Sequence, residues 1–289
     1  MPAVDGATRS YAERRGRVLR CVLSTAARGA SLDFAAVRDV TAALADAGSE
    51  VGAVLVVGEG ANFCTGGDVR AFAAAAKGEG ASQRAPASEE RIEPESRPSD
   101  EATDVGGTVR ALAGELHALV RALHEVPVPV VAAVHGWAAG AGMSVVLAAD
   151  VAVAGTSTRL RPGYPGIGFS PDGGMTWTLP RAVGAARARH ILLTDRVLSA
   201  QEALDLGLVA TVVADDAVVA EATALAERLA AGPAAALART KRLLRESGSR
   251  DLGAQLDAEA AAIAESAAGA EGREGVAAFV ERRPPRFPA

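Results

Sequence analysis

The stretch Val128-Pro129-Val130-Val131-Ala132-Ala133-Val134-His135-Gly136-Trp137-Ala138-Ala139-Gly140-Ala141-Gly142 decides how this chain is read. A run of β-branched and small apolar residues has the length and composition of a buried strand. It passes directly into a turn of small residues and then into the apolar run that begins at Met143. The whole segment 126–155 is apolar enough to suggest a membrane span, but Pro127, Pro129, His135, Gly136, Gly140, Gly142 and Asp150 interrupt it. Strand, glycine turn, short buried helix and second strand describe it better.

A similar unit lies upstream, where Ala53-Val54-Leu55-Val56-Val57 leads to Asn62-Phe63-Cys64-Thr65-Gly66-Gly67-Asp68. Small residues let a ligand approach the backbone, and the first turn of a helix leaves its N–H groups without intrahelical acceptors. Two such turns brought together would bind an anionic oxygen. The glycines of either turn alone are equally explained by tight turns and close helix packing. A dinucleotide site at residues 136–142 would call for an acidic residue about 20 positions on, where this chain has Ala154-Gly155-Thr156. Asp68 reads as a helix N-cap.

Working outward, strand-like runs fall at 18–23, 53–57, 128–134, 151–154 and 209–213, with helical apolar spacing at 32–47 and 109–123. Alternation of this kind predicts an α/β domain with a mainly parallel sheet covered by helices. Residues 1–16 are polar, carry Arg9, Arg14 and Arg15, and read as a flexible tail rather than a signal peptide. The core is expected over 17–199, with 77–107, rich in Gly, Ser, Pro, Glu and Arg, as a flexible insertion. Residues 200–289 are expected to form a helical region, with apolar faces over 200–206, 216–231, 234–246 and 252–267 that need partners.

With 289 residues, 49% of them hydrophobic, the chain can bury a large core. A net charge of -5 and the lack of a basic stripe argue against nucleic acid as a partner, and no segment argues for a membrane. Two cysteines, Cys21 and Cys64, make neither a disulfide framework nor a metal site, which fits a cytoplasmic home. His117, His124 and His190 sit in helical patterns without metal-ligand spacing.

A third segment, Gly166-Ile167-Gly168-Phe169-Ser170-Pro171-Asp172-Gly173-Gly174 followed by Leu179-Pro180-Arg181, opens another helix. Together with the two glycine turns, it resembles the crotonase (enoyl-CoA hydratase/isomerase) superfamily. So do Leu193-Thr194-Asp195-Arg196-Val197-Leu198-Ser199-Ala200-Gln201-Glu202-Ala203, Gly207-Leu208-Val209 and Arg273-Glu274-Gly275-Val276-Ala277-Ala278-Phe279. The resemblance spans roughly residues 17–287. It implies a crotonase-like spiral of ββα units with a helical C-terminal trimerisation region. It also implies a homotrimer or dimer of trimers, and an acyl-CoA substrate that brings the coenzyme A, with no separate cofactor and no metal. The thioester carbonyl would lie between the N–H groups of Gly67 and Ala141. Backbone donors of this kind cannot titrate, and each typically lowers the barrier by about 3–4 kcal/mol. Binding of CoA and substrate would fall on Ser24, Arg28, Cys64, Gly66 and Tyr164, mostly through backbone at residues 24–28 and 64–66 with Arg28 as a phosphate partner, and Phe279 and Arg282 would reach CoA across a subunit boundary. The family's Asn-Arg-Pro signature after the first strand is replaced by Ser24-Thr25-Ala26-Ala27-Arg28.

Hydration in this family uses two glutamates, and their positions here hold Ser144 and Tyr164. Neither hydroxyl accepts a proton near neutral pH as a tuned carboxylate does. Asp172 is left as the carboxylate of the catalytic stretch, and the Ser-Pro-Asp-Gly-Gly form looks like the phenylacetate-pathway isomerase branch. Asp172 is therefore the candidate catalytic residue, moving a proton in an enoyl-CoA isomerisation; a plain helix N-cap is the competing reading. The alternatives are an enoyl-CoA hydratase with altered acid/base residues and a catalytically silent acyl-CoA-binding homologue. Ser144 lacks the GxSxG context of a hydrolase nucleophile, His135 reads as structural, and Cys64 as a small packed residue.

Overall fold

The computed structural model describes residues 11–26, 29–67 and 105–287. Six strands form the main sheet in the order β1 (Ala12–Arg15), β2 (Val18–Ser24), β3 (Ala53–Gly58), β4 (Val130–Val134), β6 (Val151–Gly155) and β9 (Thr211–Val213). β1 is antiparallel to β2, and the remaining pairings are parallel. A smaller sheet joins β5 (Trp137–Ala139), β7 (Arg159–Arg161) and β8 (Leu198–Ser199).

The central strands read as unbroken apolar runs because both faces of the main sheet are covered. Ala53, Leu55 and Val57 of β3 and Val131 and Ala133 of β4 face α7 (Val218–Ala230), which contributes Val218, Ala222, Ala226 and Ala230. The alternate residues Val54, Val56, Val130, Ala132 and Val134 pack in the larger core. That core also holds residues of α1 (Phe34–Ala45), α2 (Val105–Glu125), α3 (Ala141–Ala148), α4 (Met175–Val183) and α5 (Ala185–Leu193). Two successive units, β4–β5–α3 and β6–β7–α4, each place one strand in the large sheet, one in the small sheet and a helix after them. This is the ββα repeat that the resemblance implies.

Several boundaries differ from the sequence reading. The stretch 1–16 is not wholly a tail, because residues 12–15 form β1 and the Tyr11 carbonyl accepts from the Val22 N–H. β4 begins at Val130 rather than Val128, since Pro129 has no N–H to give the ladder; the Val130 N–H instead donates to Asp150 Oδ2 at 2.8 Å. Residues 105–107, placed in the insertion, form the first turn of α2 despite two glycines. The rest of the 77–107 insertion lies outside the described residues. The division at residue 200 also moves: α6 (Ala200–Asp205), β9 and α7 belong to the core. The outlying helical layer starts at α8 (Ala234–Ser247) and continues through α9 (Leu252–Ala268) and α10 (Ala270–Glu281).

One half-buried cation ties that layer to the core. Lys241 of α8 donates to the Leu123 and Val128 carbonyls at 2.9 and 3.1 Å and pairs with Asp150 at 2.8 Å. The Leu123 carbonyl belongs to the last turn of α2, where acceptors lack intrahelical donors, and burial pulls the Lys241 ammonium below its usual range. Lys241→Met leaves both carbonyls and Asp150 without this donor. It should reduce stability by about 2 kcal/mol, read as a lower urea midpoint at an unchanged slope.

Candidate active site

The two glycine turns meet. Cys64 and Ala138 form a parallel bridge, with the Ala139 N–H donating to the Cys64 carbonyl at 2.9 Å and the Cys64 N–H to the Trp137 carbonyl at 3.0 Å. Gly66 and Gly140 adopt φ of +95° and +54°, values in the region that side chains disfavour. Gly142 presses against the first turn so closely that a Cβ there would lie 2.2 Å from the Cys64 carbonyl oxygen. Gly67 follows directly, and Ala141 is the first residue of α3. Among the described residues, neither the Gly67 nor the Ala141 N–H has a hydrogen-bond acceptor.

Both residues line one cavity of about 610 Å³, together with Gly66, Tyr164 and Asp172. Its remaining walls are largely apolar, with Leu32, Phe34, Val109, Leu116, Ile167 and Phe169 among them. Asp172 is the one carboxylate among the described lining residues. Its carboxylate does not cap a helix. α4 has Gly174 at its N-cap with no side-chain cap, and Asp172 Oδ1 instead accepts from the Tyr164 hydroxyl at 2.6 Å. Burial and the neighbouring Asp172 charge push the Tyr164 phenol above its usual range, so it remains a donor. The loop is fixed from two further sides. Ser144 donates its hydroxyl to the Asp172 carbonyl at 3.2 Å, and the Gly173 N–H donates to His117 Nε2 at 3.2 Å.

Other expected site residues lie elsewhere. Ser24 is fully buried and spends its hydroxyl on the Phe63 carbonyl, so it holds the first turn to β2 rather than facing the cavity. Cys64 is buried beneath the turn, and burial raises its thiol to about 11, which leaves it a protonated packing group. Phe279 and Arg282, at the end of α10, are exposed and do not line the cavity. Arg28 and Asp68 lie outside the described residues. His135 keeps Nε2 2.9 Å from the Gly60 carbonyl and is not a lining residue, as a structural histidine would be. The sequence reading missed His117, because a histidine beside the apolar stripe of a helix carries no mark of what the helix packs against. No cluster of three metal-ligating side chains occurs among the described residues, and no helix there is long and apolar enough to cross a membrane.

A sequence model of the enoyl-CoA hydratase/isomerase family matches residues 106–289. A Rhodobacter capsulatus protein named "Probable enoyl-CoA hydratase" is 37% identical over 257 residues, 89% of each chain. The 1,2-epoxyphenylacetyl-CoA isomerase of Escherichia coli K12 is 36% identical over 190 residues, 66% of this chain and 71% of that one. The crystal structure of an enoyl-CoA hydratase from Polaromonas sp. JS666 superposes with a TM-score of 0.81 at 31% identity, covering 96% of this chain and 98% of that one.

The contact between the turns is testable directly. Gly142→Ala forces the Cys64 backbone and α3 apart, which should reduce stability by about 1–3 kcal/mol. Differential scanning calorimetry should show the fall in melting temperature.

Proposed function

The chain belongs to the enoyl-CoA hydratase/isomerase family, and from that premise we propose that it isomerises an enoyl-CoA thioester by proton transfer through an enolate. The observation that carries the reading is the placement on one cavity of the Asp172 carboxylate and of the Gly67 and Ala141 N–H groups, which have no acceptor among the described residues. In this reading the thioester oxygen lies against both N–H groups, which acidify the carbon next to the carbonyl or its vinylogue. Asp172 removes that proton as the carbonyl oxygen gains negative charge. The N–H groups stabilise this charge without reorganising, because they are fixed in the backbone. The same carboxylate then returns the proton to the other end of the allylic system, so one base serves both steps. Tyr164 keeps Asp172 oriented through a short, charge-assisted hydrogen bond. The apolar walls accommodate the acyl chain and exclude water from the enolate. No cofactor beyond the coenzyme A of the substrate takes part, and the reaction is placed in the cytoplasm.

A second reading, hydration of a 2-enoyl-CoA with altered acid/base residues, is favoured by the relative named as a hydratase that matches 89% of this chain. It requires a water held for attack on the β-carbon. Asp172 would have to activate it without a second carboxylate among the described lining residues. Supplying 3-enoyl-CoA and 2-enoyl-CoA separately distinguishes the two. Movement of the double bond without gain of water supports isomerisation, and a 3-hydroxyacyl product from the 2-enoyl substrate supports hydration. Asp172→Asn should retain thioester binding, because the amide is nearly isosteric, while turnover falls about 100-fold or more. A folded variant with undiminished turnover rejects Asp172 as the proton carrier.

We propose further that the chain works as a homotrimer or a dimer of trimers. Leu244, Leu252, Leu256, Ile263, Val276, Phe279 and Val280 are all exposed on α8–α10, an apolar surface of the kind that subunit contacts cover. Phe279 and Arg282 would then reach the CoA of a neighbouring subunit. Sedimentation at micromolar concentration should give a trimer or hexamer, and a stable monomer would overturn the assembly.

A further inference from the structure

We propose that His117 is a positioning residue that holds the Asp172 loop in its working place only while its imidazole is neutral. The proposal rests on the reading of Asp172 as the proton carrier and adds a pH-dependent support to it. The Gly173 N–H donates to His117 Nε2 at 3.2 Å. A backbone N–H can only donate, so Nε2 carries a lone pair and the ring proton resides on Nδ1. In the imidazolium both ring nitrogens carry hydrogens, and the same contact becomes donor against donor.

The loop has little room to absorb that change. Gly173 has φ of +59°, and a Cβ built on it would lie 2.7 Å from Ser144 Cβ, so the loop is pressed against α3. Gly173 is joined to Asp172 by one planar peptide unit. Its amide therefore cannot turn away from His117 without moving the Asp172 carbonyl that Ser144 holds, and with it the carboxylate that Tyr164 holds. His117 directly follows Leu116, a lining residue, so α2 supplies both a cavity wall and the anchor of the opposing loop.

On α2 itself the other charged or titratable groups are Arg110, which lines the same cavity, Glu115, Arg121, His124 and Glu125. The loop carries Asp172 and Tyr164. α1 carries Asp39, whose carboxylate accepts from the Tyr11 N–H, and Arg38, which pairs with Glu115 of α2 at 2.8 Å. Arg121 lies one turn further along α2, α4 carries Arg181, and α3 has no charged residue.

Two substitutions separate the roles of acceptor and titration. His117→Gln offers an amide oxygen that accepts from Gly173 but does not titrate, and His117→Leu offers no acceptor. The measurements are the pH profile of kcat/KM and the amide resonance of Gly173 followed against pH. In the unsubstituted chain both should change together on the acid side. In His117→Gln the acid limb of the activity profile should move to lower pH, because the amide oxygen accepts from Gly173 without taking up a proton, and the resonance should cease to follow it. His117→Leu should lose about 10- to 100-fold in turnover at every pH, the scale of a small misplacement of a reacting group. An unmoved acid limb in His117→Gln, or wild-type turnover in His117→Leu, overturns the proposal. Should the unsubstituted chain transfer no proton on any acyl-CoA, the isomerase reading fails instead. The Gly173 resonance then decides the role of His117 by itself, an invariant resonance rejecting it and a titrating one lost in His117→Gln supporting it.

Discussion

The site depends on one backbone contact, the parallel bridge that binds the first glycine turn to the second at Cys64 and Ala138. Hydrogen bonds from the Cys64 and Ala139 N–H groups run across it. Beyond them the Thr65 N–H donates to the Ala30 carbonyl and the Gly140 N–H to the Arg161 carbonyl, while the N–H groups of Gly67 and Ala141 have no acceptor among the described residues. Side chains cannot enter this contact. A Cβ on Gly142 or Gly136 would lie 2.2 Å from a backbone oxygen of the first turn. The glycines are thus required by the approach of two backbone segments to one another, and the cavity surface beside them follows from that approach.

A second constraint places the carboxylate. The loop from Gly163 to Gly174 leaves β7 and returns to α4, and Asp172 projects from it among apolar walls. In such surroundings an unpaired carboxylate is costly, and a hydrogen bond to it is stronger than in water. Tyr164 meets that cost from within the same loop, while Ser144 and His117 fix the loop backbone from α3 and α2. The resemblance to the family implies glutamates at the positions of Ser144 and Tyr164 in a hydratase. Here Ser144 and Tyr164 serve the orientation of a single acidic group, and that arrangement gives the isomerase reading its chemical sense.

The outer helices obey a different rule. α8–α10 bury little of their own apolar surface, in contrast to α7, whose alanine and valine face closes the main sheet. Lys241 fixes α8 to the C-terminal end of α2 and to Asp150. The layer is therefore anchored by polar contacts on its inner side, while its apolar side chains remain available to another subunit.

The class of fold, the central strands, most helices and the position of both glycine turns were legible in the sequence. Each rests on local chemistry: apolar runs of strand length, helical spacing, and glycine where small residues follow a strand. Asp172 was legible as the carboxylate of its stretch, and its partner was not, because a helix start such as Pro171-Asp172-Gly173-Gly174 reads locally as a cap. The resemblance implies ligand contacts near Ser24 and Cys64 made mostly by backbone, and the structure adds that close packing of β2 against the first turn buries both side chains. The strand in residues 12–15 and the core placement of β9 and α7 depend on pairing and packing with distant segments. The sequence by itself determined which segments could form strands, turns and helices and which carboxylate was available. Only the tertiary structure decided that Tyr164 and His117 hold the Asp172 loop, since these contacts cross 8 and 56 positions of chain and follow from packing between elements rather than from any local pattern.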